Sequence, residues 1–167
     1  MIESSDLARF SDLYRKYHLD AYRYALSLCG REAQAEDLAA EAFLRIWDSP
    51  APVRLATVRS YLVAIVRNLY LESRRKLGRE SALEDDVQDG RDFAAEQESR
   101  AEWLRLRPLL DELPEVTRSA LIMQSVLEMP YAEIEAVLGV PAAALKARVY
   151  RARMQLAAQM KREETKR

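Results

Sequence analysis

Apolar residues recur every three or four positions along most of the chain, which is the period of an α-helix with one buried face. Three such stripes in the first part of the sequence predict three helices, ending near Gly30, near Asp48 and beyond Arg75. Pro50 and Pro52 interrupt the chain between the second and third helices. The residues predicted to be buried are Phe10, Leu13, Tyr14, Tyr17, Ala21, Tyr24, Ala25 and Leu28, then Ala35, Leu38, Ala39, Ala42 and Ile46, then Val58, Tyr61, Leu62, Ile65, Val66 and Leu69.

Helical periodicity returns near residue 100 and leads into a segment with the form of a helix-turn-helix. A short apolar helix from Tyr131 to Leu138 is followed by a turn at Gly139 and by a longer helix that opens at Pro141. Glycine suits the left-handed residue that ends a helix, and proline suits the first position of the next. Two helices joined by a tight turn are typical of a DNA-reading helix-turn-helix when the second is basic. Its basic residues are Lys146, Arg148, Arg151 and Arg153.

The composition agrees with an all-α protein of two small helical domains. The 167 residues include only four glycines and six prolines, and no segment alternates as a strand would. No apolar run approaches the roughly 20 residues that span a bilayer, and the first residues lack a signal-peptide pattern, so we expect a cytoplasmic protein without membrane insertion.

Charge is segregated along the chain although the formal net charge is only −1. Between Leu77 and Ala101 there are eight acidic residues and three arginines, and the helical period is lost. We interpret residues 78–100 as an acidic, flexible linker between mildly basic domains at 1–77 and 101–167. Local patches of charge, and not the net charge, decide whether a protein contacts phosphate.

Enzymatic readings find little support. Neither a glycine-rich phosphate loop nor a nucleophile motif is present, so we expect no catalytic residue and no cofactor. One cysteine and one histidine exclude an intramolecular disulfide and argue against a metal site made by the protein alone. We interpret His18 as a partly buried structural residue and Cys29 as a small buried apolar one.

Two helix faces are candidates for binding. Asp37 and Glu41 lie four residues apart, opposite the apolar stripe of the second helix, and form either a solvated face or a docking surface for a basic partner. On the third helix, arginines around Asn68 are either ordinary surface residues or contacts to phosphates, while asparagine can make two directed hydrogen bonds to a base. Tyr61 and Tyr70 are able to stack on an unpaired base, although the period assigns Tyr61 to the core.

Nearly the whole chain resembles the extracytoplasmic-function (ECF) class of bacterial RNA polymerase sigma factors. The N-terminal similarity runs through FSDLYRKYHLDAYRYALSLCG, AEDLAAEAFLRIW and VRSYLVAIVRNLYLESRRK. The C-terminal similarity runs from LPEVTRSALIMQSVLEMPYAEIEAVLGV to KARVYRARMQLA. The order, spacing and combined length of these blocks carry the resemblance, since a helix-turn-helix alone occurs in many regulators.

The resemblance implies roles for the residues that match the family's motifs. The second helix would bind core RNA polymerase, the third would bind the −10 promoter element, and the last would read the −35 element in the major groove. The residues expected to bind polymerase are Asp37, Leu38, Glu41 and Phe43. Those expected at the −10 DNA are Arg59, Tyr61, Arg67, Asn68, Arg74 and Arg75, and those at the −35 DNA are Lys146, Arg148, Arg151 and Arg153.

The recognition helix departs from the family's pattern. Ala144 and Ala147 replace residues whose hydroxyls could bond to phosphate or base, and Val140 offers no side-chain cap where Ser or Thr would stabilise the helix by about 1 kcal/mol. Ala40, Tyr61 and Glu72 also stand where the family commonly has Gln, Trp and Asp. We infer an altered −35 preference or weaker discrimination at that element.

The combined expectation is an alternative sigma factor that directs core RNA polymerase to promoters. Its expected partners are core polymerase, promoter DNA and an anti-sigma factor, and the free protein is expected to be a monomer. Two alternatives remain open: a sigma-like mimic that sequesters an anti-sigma factor without reading DNA, and a stand-alone helix-turn-helix regulator. A mimic would show a flat salt dependence of DNA association, whereas a free-standing regulator usually dimerises on a palindromic site.

Overall fold

The computed structural model describes residues 4–49, 58–80 and 97–166, and these residues form seven α-helices and no strand. The chain divides into two units, Met1–Gln88 and Asp89–Arg167. The all-α fold with two helical domains, predicted from the sequence, is confirmed.

The N-terminal unit is a bundle of three helices that all pack on one another: α1 (Ser4–Cys29), α2 (Glu32–Trp47) and α3 (Val58–Glu80). Helix α1 ends as expected at Gly30, which takes the left-handed conformation with φ of 72°. The amide of Gly30 donates to the carbonyl of Leu26 at 2.8 Å, so the last turn is closed before the chain reverses. The predicted break at Pro50 and Pro52 lies outside the described residues.

The core of this unit follows the predicted stripes with a few exceptions. Small residues let the helices approach closely, and larger ones fill the centre; the fully buried positions include Ala21, Tyr24, Ala25, Ala35, Ala42, Val58, Leu62 and Val66. The residues of the predicted stripe in the N-terminal half of α1 are less buried than expected. The Tyr14 ring packs edge-on against Phe43 at 5.0 Å between centroids, yet the residue is largely exposed at the rim of the bundle.

The structure differs from the expectation at four residues of this unit. Tyr61 is 42% exposed and is not a core residue, whereas Tyr70 is buried and cannot stack on a base. His18 is exposed: its ring stacks on Tyr14, and its Nδ1 lies 3.0 Å from the Tyr14 carbonyl oxygen. Cys29 is half-buried, and its Sγ donates to the carbonyl of Arg31 at 3.3 Å.

The C-terminal unit contains α4 (Gln97–Asp111), α5 (Glu115–Ser125), α6 (Tyr131–Leu138) and α7 (Ala142–Thr165). Helix α7 is the centre of the unit because α4, α5 and α6 all pack against it. Its buried residues, at alternating spacings of four and three, are Leu145, Val149, Ala152 and Leu156. The predicted helix-turn-helix is therefore present, although α7 begins at Ala142, one residue later than expected, with Pro141 as the residue before it.

The helices extend into the segment that the sequence predicts as a linker. Helix α3 continues through Gly78 to Glu80, and α4 begins at Gln97. Residues 81–96 lie outside the described part of the chain, so the acidic linker stays a prediction there.

Within the described ranges, no helix is long and apolar enough to cross a membrane. Over the same ranges, His, Cys, Asp and Glu form no group of three that could hold a metal ion.

Two glycines give a matched test of the helix ends. Gly139 has φ of 68° and open space around the position of a Cβ, so Gly139→Ala should lower the free energy of unfolding of its unit by about 1–2 kcal/mol through backbone strain alone. Gly78 lies within α3 with equally open space, so Gly78→Ala should raise that free energy by about 0.5–1 kcal/mol. Urea unfolding followed by circular dichroism measures both changes. Shifts of the same sign would contradict the assignment of Gly139 to a left-handed helix end and of Gly78 to a helix interior.

Candidate nucleic-acid interface

The outer face of α2 carries an acidic stripe. Asp37, Glu41 and Asp48 are exposed, and the helical period places them on the side opposite the buried Ala35, Ala42 and Ile46. Glu41 also makes an ion pair with Arg45 at 3.5 Å, which contributes little to stability because both side chains are half in water. The acidic face predicted from the sequence therefore exists as an exposed surface.

Two residues predicted to contact polymerase lie inside the bundle instead. Leu38 is 8% exposed and Phe43 is 3% exposed, so neither side chain is available to a partner in this structure. The Phe43 ring packs edge-on against Phe10, with centroids 6.2 Å apart. Burying them fixes the rotation of α2 that turns its acidic face outward, and their contact with polymerase stays a prediction.

Leu44 is a member of this surface that the sequence reading missed. It is 54% exposed, and at seven residues from Asp37 it lies on nearly the same line of the helix. The sequence does contain a signal for this exposure, because Leu44 is an apolar residue that lies outside the predicted buried stripe of Leu38, Ala42 and Ile46. An exposed leucine among carboxylates gives the face, which we call the α2 acidic face (Asp37, Glu41, Leu44 and Asp48), an apolar centre.

Helix α3 brings three of the predicted −10 residues onto one line. Tyr61, Asn68 and Arg75 recur at intervals of seven, so they stand about 10 Å apart along one exposed stripe. Arg67 and Arg74 follow the neighbouring stripe, Arg67 half-buried and Arg74 exposed. The exposure of Tyr61 makes this an array of an aromatic ring, an amide and cations, which we call the α3 stripe (Tyr61, Arg67, Asn68, Arg74 and Arg75).

Arg59 does not join the α3 stripe. It lies toward the bundle side of the helix, where its Nε is 3.9 Å from Asp20 Oδ2 of α1 and both side chains are mostly buried. This contact ties the start of α3 to α1. The contact of Arg59 with DNA stays a prediction.

Helix α7 presents cations on its exposed surface. Lys146, Arg148 and Arg151 are all exposed, as predicted. Arg153 differs, because its guanidinium donates to the Ser125 hydroxyl at 2.8 Å and to Gln124 Oε1, at the end of α5. It connects helix α7 to the end of α5, and its contact with the −35 DNA stays a prediction.

The start of α7 is capped by a residue of the preceding helix. Neither Val140 nor Pro141 supplies a side-chain cap, but the Ala142 amide donates to Glu135 Oε2 of α6 at 2.9 Å. A carboxylate at a helix N-terminus satisfies a free amide and interacts favourably with the helix dipole. Sequence reasoning missed this contact because Glu135 and Ala142 belong to different helices, and only the Gly139 turn brings them together.

A helix-turn-helix with a basic second helix and, on the other domain, an exposed array of arginine, asparagine and tyrosine have the chemistry that suits contact with nucleic acid. Two family models match the chain: Sigma-70 region 2 over residues 13–80 and Sigma-70, region 4 over residues 103–156. The chain is 33% identical over 141 residues to the ECF RNA polymerase sigma factor EcfG of Rhodopseudomonas palustris, covering 81% of this chain and 76% of EcfG. The chain belongs to the ECF family of RNA polymerase sigma factors.

Two further similarities agree with this assignment. The chain is 32% identical over 161 residues to the ECF RNA polymerase sigma factor SigE of Mycolicibacterium smegmatis, covering 92% of this chain but only 62% of the length of SigE. Among solved structures, the sigma factor RpoE in complex with the anti-sigma factor NepR from Bartonella quintana gives a TM-score of 0.65 at 23% identity, covering 92% of this chain and 97% of that chain. At that identity the likeness concerns the fold.

Loss of the Glu135 cap should weaken the C-terminal unit. Glu135→Ala should lower its free energy of unfolding by about 1 kcal/mol, since one amide at the start of α7 loses its acceptor. Glu135→Gln keeps an oxygen at that place and should retain part of the stability. Glu102→Ala removes the same charge from an exposed position on α4 and serves as the control. Thermal unfolding of the four proteins measures the differences; equal effects of Glu135→Ala and Glu102→Ala would contradict the cap.

Proposed function

We propose that this protein is an alternative sigma factor that binds core RNA polymerase and directs initiation at a set of promoters. The observation that carries the proposal is that both domains turn a chemically distinct helix face to solvent: the α2 acidic face, the α3 stripe and the cations of α7. The factor would do no covalent chemistry of its own and would act by binding alone.

The α2 acidic face would bind a basic surface of core polymerase. Asp37 and Glu41 supply the charge that steers association, and the exposed Leu44 supplies apolar area that is removed from water on binding. An apolar residue surrounded by charge is the usual composition of an interface centre with a polar rim.

The α3 stripe would hold the opened −10 strand. Exposing a base costs a few kcal/mol, and stacking on an aromatic ring returns about 1–3 kcal/mol per base. Tyr61 has the exposure that stacking requires, Asn68 can bond to a base edge, and Arg74 and Arg75 can neutralise the neighbouring phosphates. The three kinds of contact lie on one side of one helix, so a single strand could use them together.

Helix α7 would enter the major groove at the −35 element. The exposed Lys146, Arg148 and Arg151 keep the phosphate-binding charge that a sigma-like mimic would lack, and this favours the DNA-reading function over that alternative. An anti-sigma factor is a further proposed partner, supported by the likeness in fold to RpoE, which was crystallised in complex with NepR.

Reversing the charge of the α2 acidic face should abolish polymerase binding. Asp37→Lys/Glu41→Lys should prevent co-elution with sigma-free core RNA polymerase in gel filtration, because two attractive charges become repulsive ones. The matched control is Asp6→Lys/Asp12→Lys, which makes the same change at two exposed positions of α1. Wild type eluting apart from the core enzyme would contradict the sigma function, and equal loss in both double variants would contradict the location of the contact.

Asn68 should act after polymerase has bound. Asn68→Ala should reduce open-complex formation, measured by permanganate reactivity of unpaired thymines, by about tenfold, the loss of one directed base contact of 1–3 kcal/mol. Binding to core polymerase should stay unchanged, since Asn68 lies on a different helix from the α2 acidic face. Arg9→Ala, a change at an exposed position of α1, is the control. Equal losses of core binding and opening in Asn68→Ala would contradict a role at the −10 strand.

A further inference from the structure

The exposed side of α7 has an apolar ridge between two rows of cations. Its buried residues, Leu145, Val149, Ala152 and Leu156, form one seam of the helix. At about 100° per residue, the opposite side is centred on a set with the same alternation of four and three. The residues of this set, which we call the α7 ridge, are Ala143, Ala147, Tyr150 and Met154, and all four are exposed.

Cations lie on both sides of the α7 ridge and none lies on it. Lys146 and Arg153 lie on one side of the ridge, and Arg153 also bonds to α5. Arg148 and Arg151 lie on the other side. The flanks and the ridge follow directly from the sequence numbers once the buried seam is known, because the seam fixes the rotation of the helix.

This arrangement matches the cross-section of the DNA major groove. The groove is about 12 Å wide, and an α-helix with its side chains is about 10–12 Å in diameter, so a helix in the groove presents its outermost ridge to the bases and its flanks to the two phosphate strands. Cations on both flanks suit two strands of phosphate, whereas a partner protein would have to supply acidic groups in two parallel rows. The charges therefore favour duplex DNA as the occupant of this face.

The chemistry of the ridge then restricts what it can read. Ala143 and Ala147 lie near the start of the helix, the part of a recognition helix that reaches base edges, and their side chains can neither donate nor accept a hydrogen bond. The thymine C5-methyl is the apolar group that a base pair presents in the major groove. Resting on the proposed function of α7, we propose that Ala143 and Ala147 contribute to the choice of promoter by contact with thymine methyl groups.

The proposal predicts a dependence on the methyl group itself. Duplexes randomised over the upstream element would be enriched on the full chain bound to core RNA polymerase, and each thymine of the enriched upstream block would then be replaced singly by deoxyuridine, which lacks only that methyl. Binding should weaken by about fourfold at each contacted thymine, the amount expected for one buried methyl group.

Two variants assign the effect to the ridge. Ala147→Ser places a hydroxyl on the α7 ridge and should reduce the preference for thymine over deoxyuridine to nearly one at the thymine that Ala147 contacts, while the preference at the thymine that Ala143 contacts persists. Ala157→Ser makes the same change at an exposed position ten residues, or about 15 Å, further along α7 and should leave the preference unchanged. A preference that Ala147→Ser leaves intact would overturn the assignment to this ridge.

The possible failures are distinct. Enrichment of an upstream sequence whose binding is indifferent to deoxyuridine would overturn methyl recognition while leaving the reading of DNA by α7 in place. No enrichment of any upstream sequence, with normal binding to core polymerase, would overturn the proposed −35 function and this inference with it.

Discussion

Burial of one seam on each helix is the constraint on which the surfaces of this protein depend. Helices α2, α3 and α7 each bury a row of small and aliphatic side chains, and that row fixes the rotation of the helix about its axis. Once the rotation is set, the residues half a turn away must face solvent. The exposed faces of these helices are therefore set by the core, because a polar residue in place of Ala42 or Val149 would disturb the packing that fixes the rotation of the helix.

The helical period predicts most of the fold and the rows of residues that share a face. The predicted helices, the Gly30 and Gly139 ends and the buried Leu62 and Val66 all follow from spacing and from the conformational freedom of glycine. Spacing is less reliable at the edges of a stripe. Tyr61 and Phe43 are both large aromatic residues at such edges. Phe43 is buried because it contacts the rings of Phe10 and Tyr14 on α1, whereas Tyr61 is exposed.

Contacts between side chains of one helix and groups of another could not be predicted from the helical period. Arg59 reaches Asp20, Arg153 reaches the end of α5, and Glu135 reaches the start of the next helix. In each case a charged residue that reads as surface is committed to another helix. The resemblance to a family gives such residues a role from their position in a motif. The structure adds the partner that lies within hydrogen-bonding or ion-pairing distance of each one.

The cap that Glu135 provides has a consequence for how this protein could evolve. In most helices the residue at the start must bond to its own backbone, so its identity is restricted. Here that duty belongs to α6, and Val140, Pro141 and Ala142 have no side chain committed to it. Under the role proposed for α7, the residues that would first meet the groove can therefore vary, and with them the set of genes that respond, while the Glu135 cap is kept.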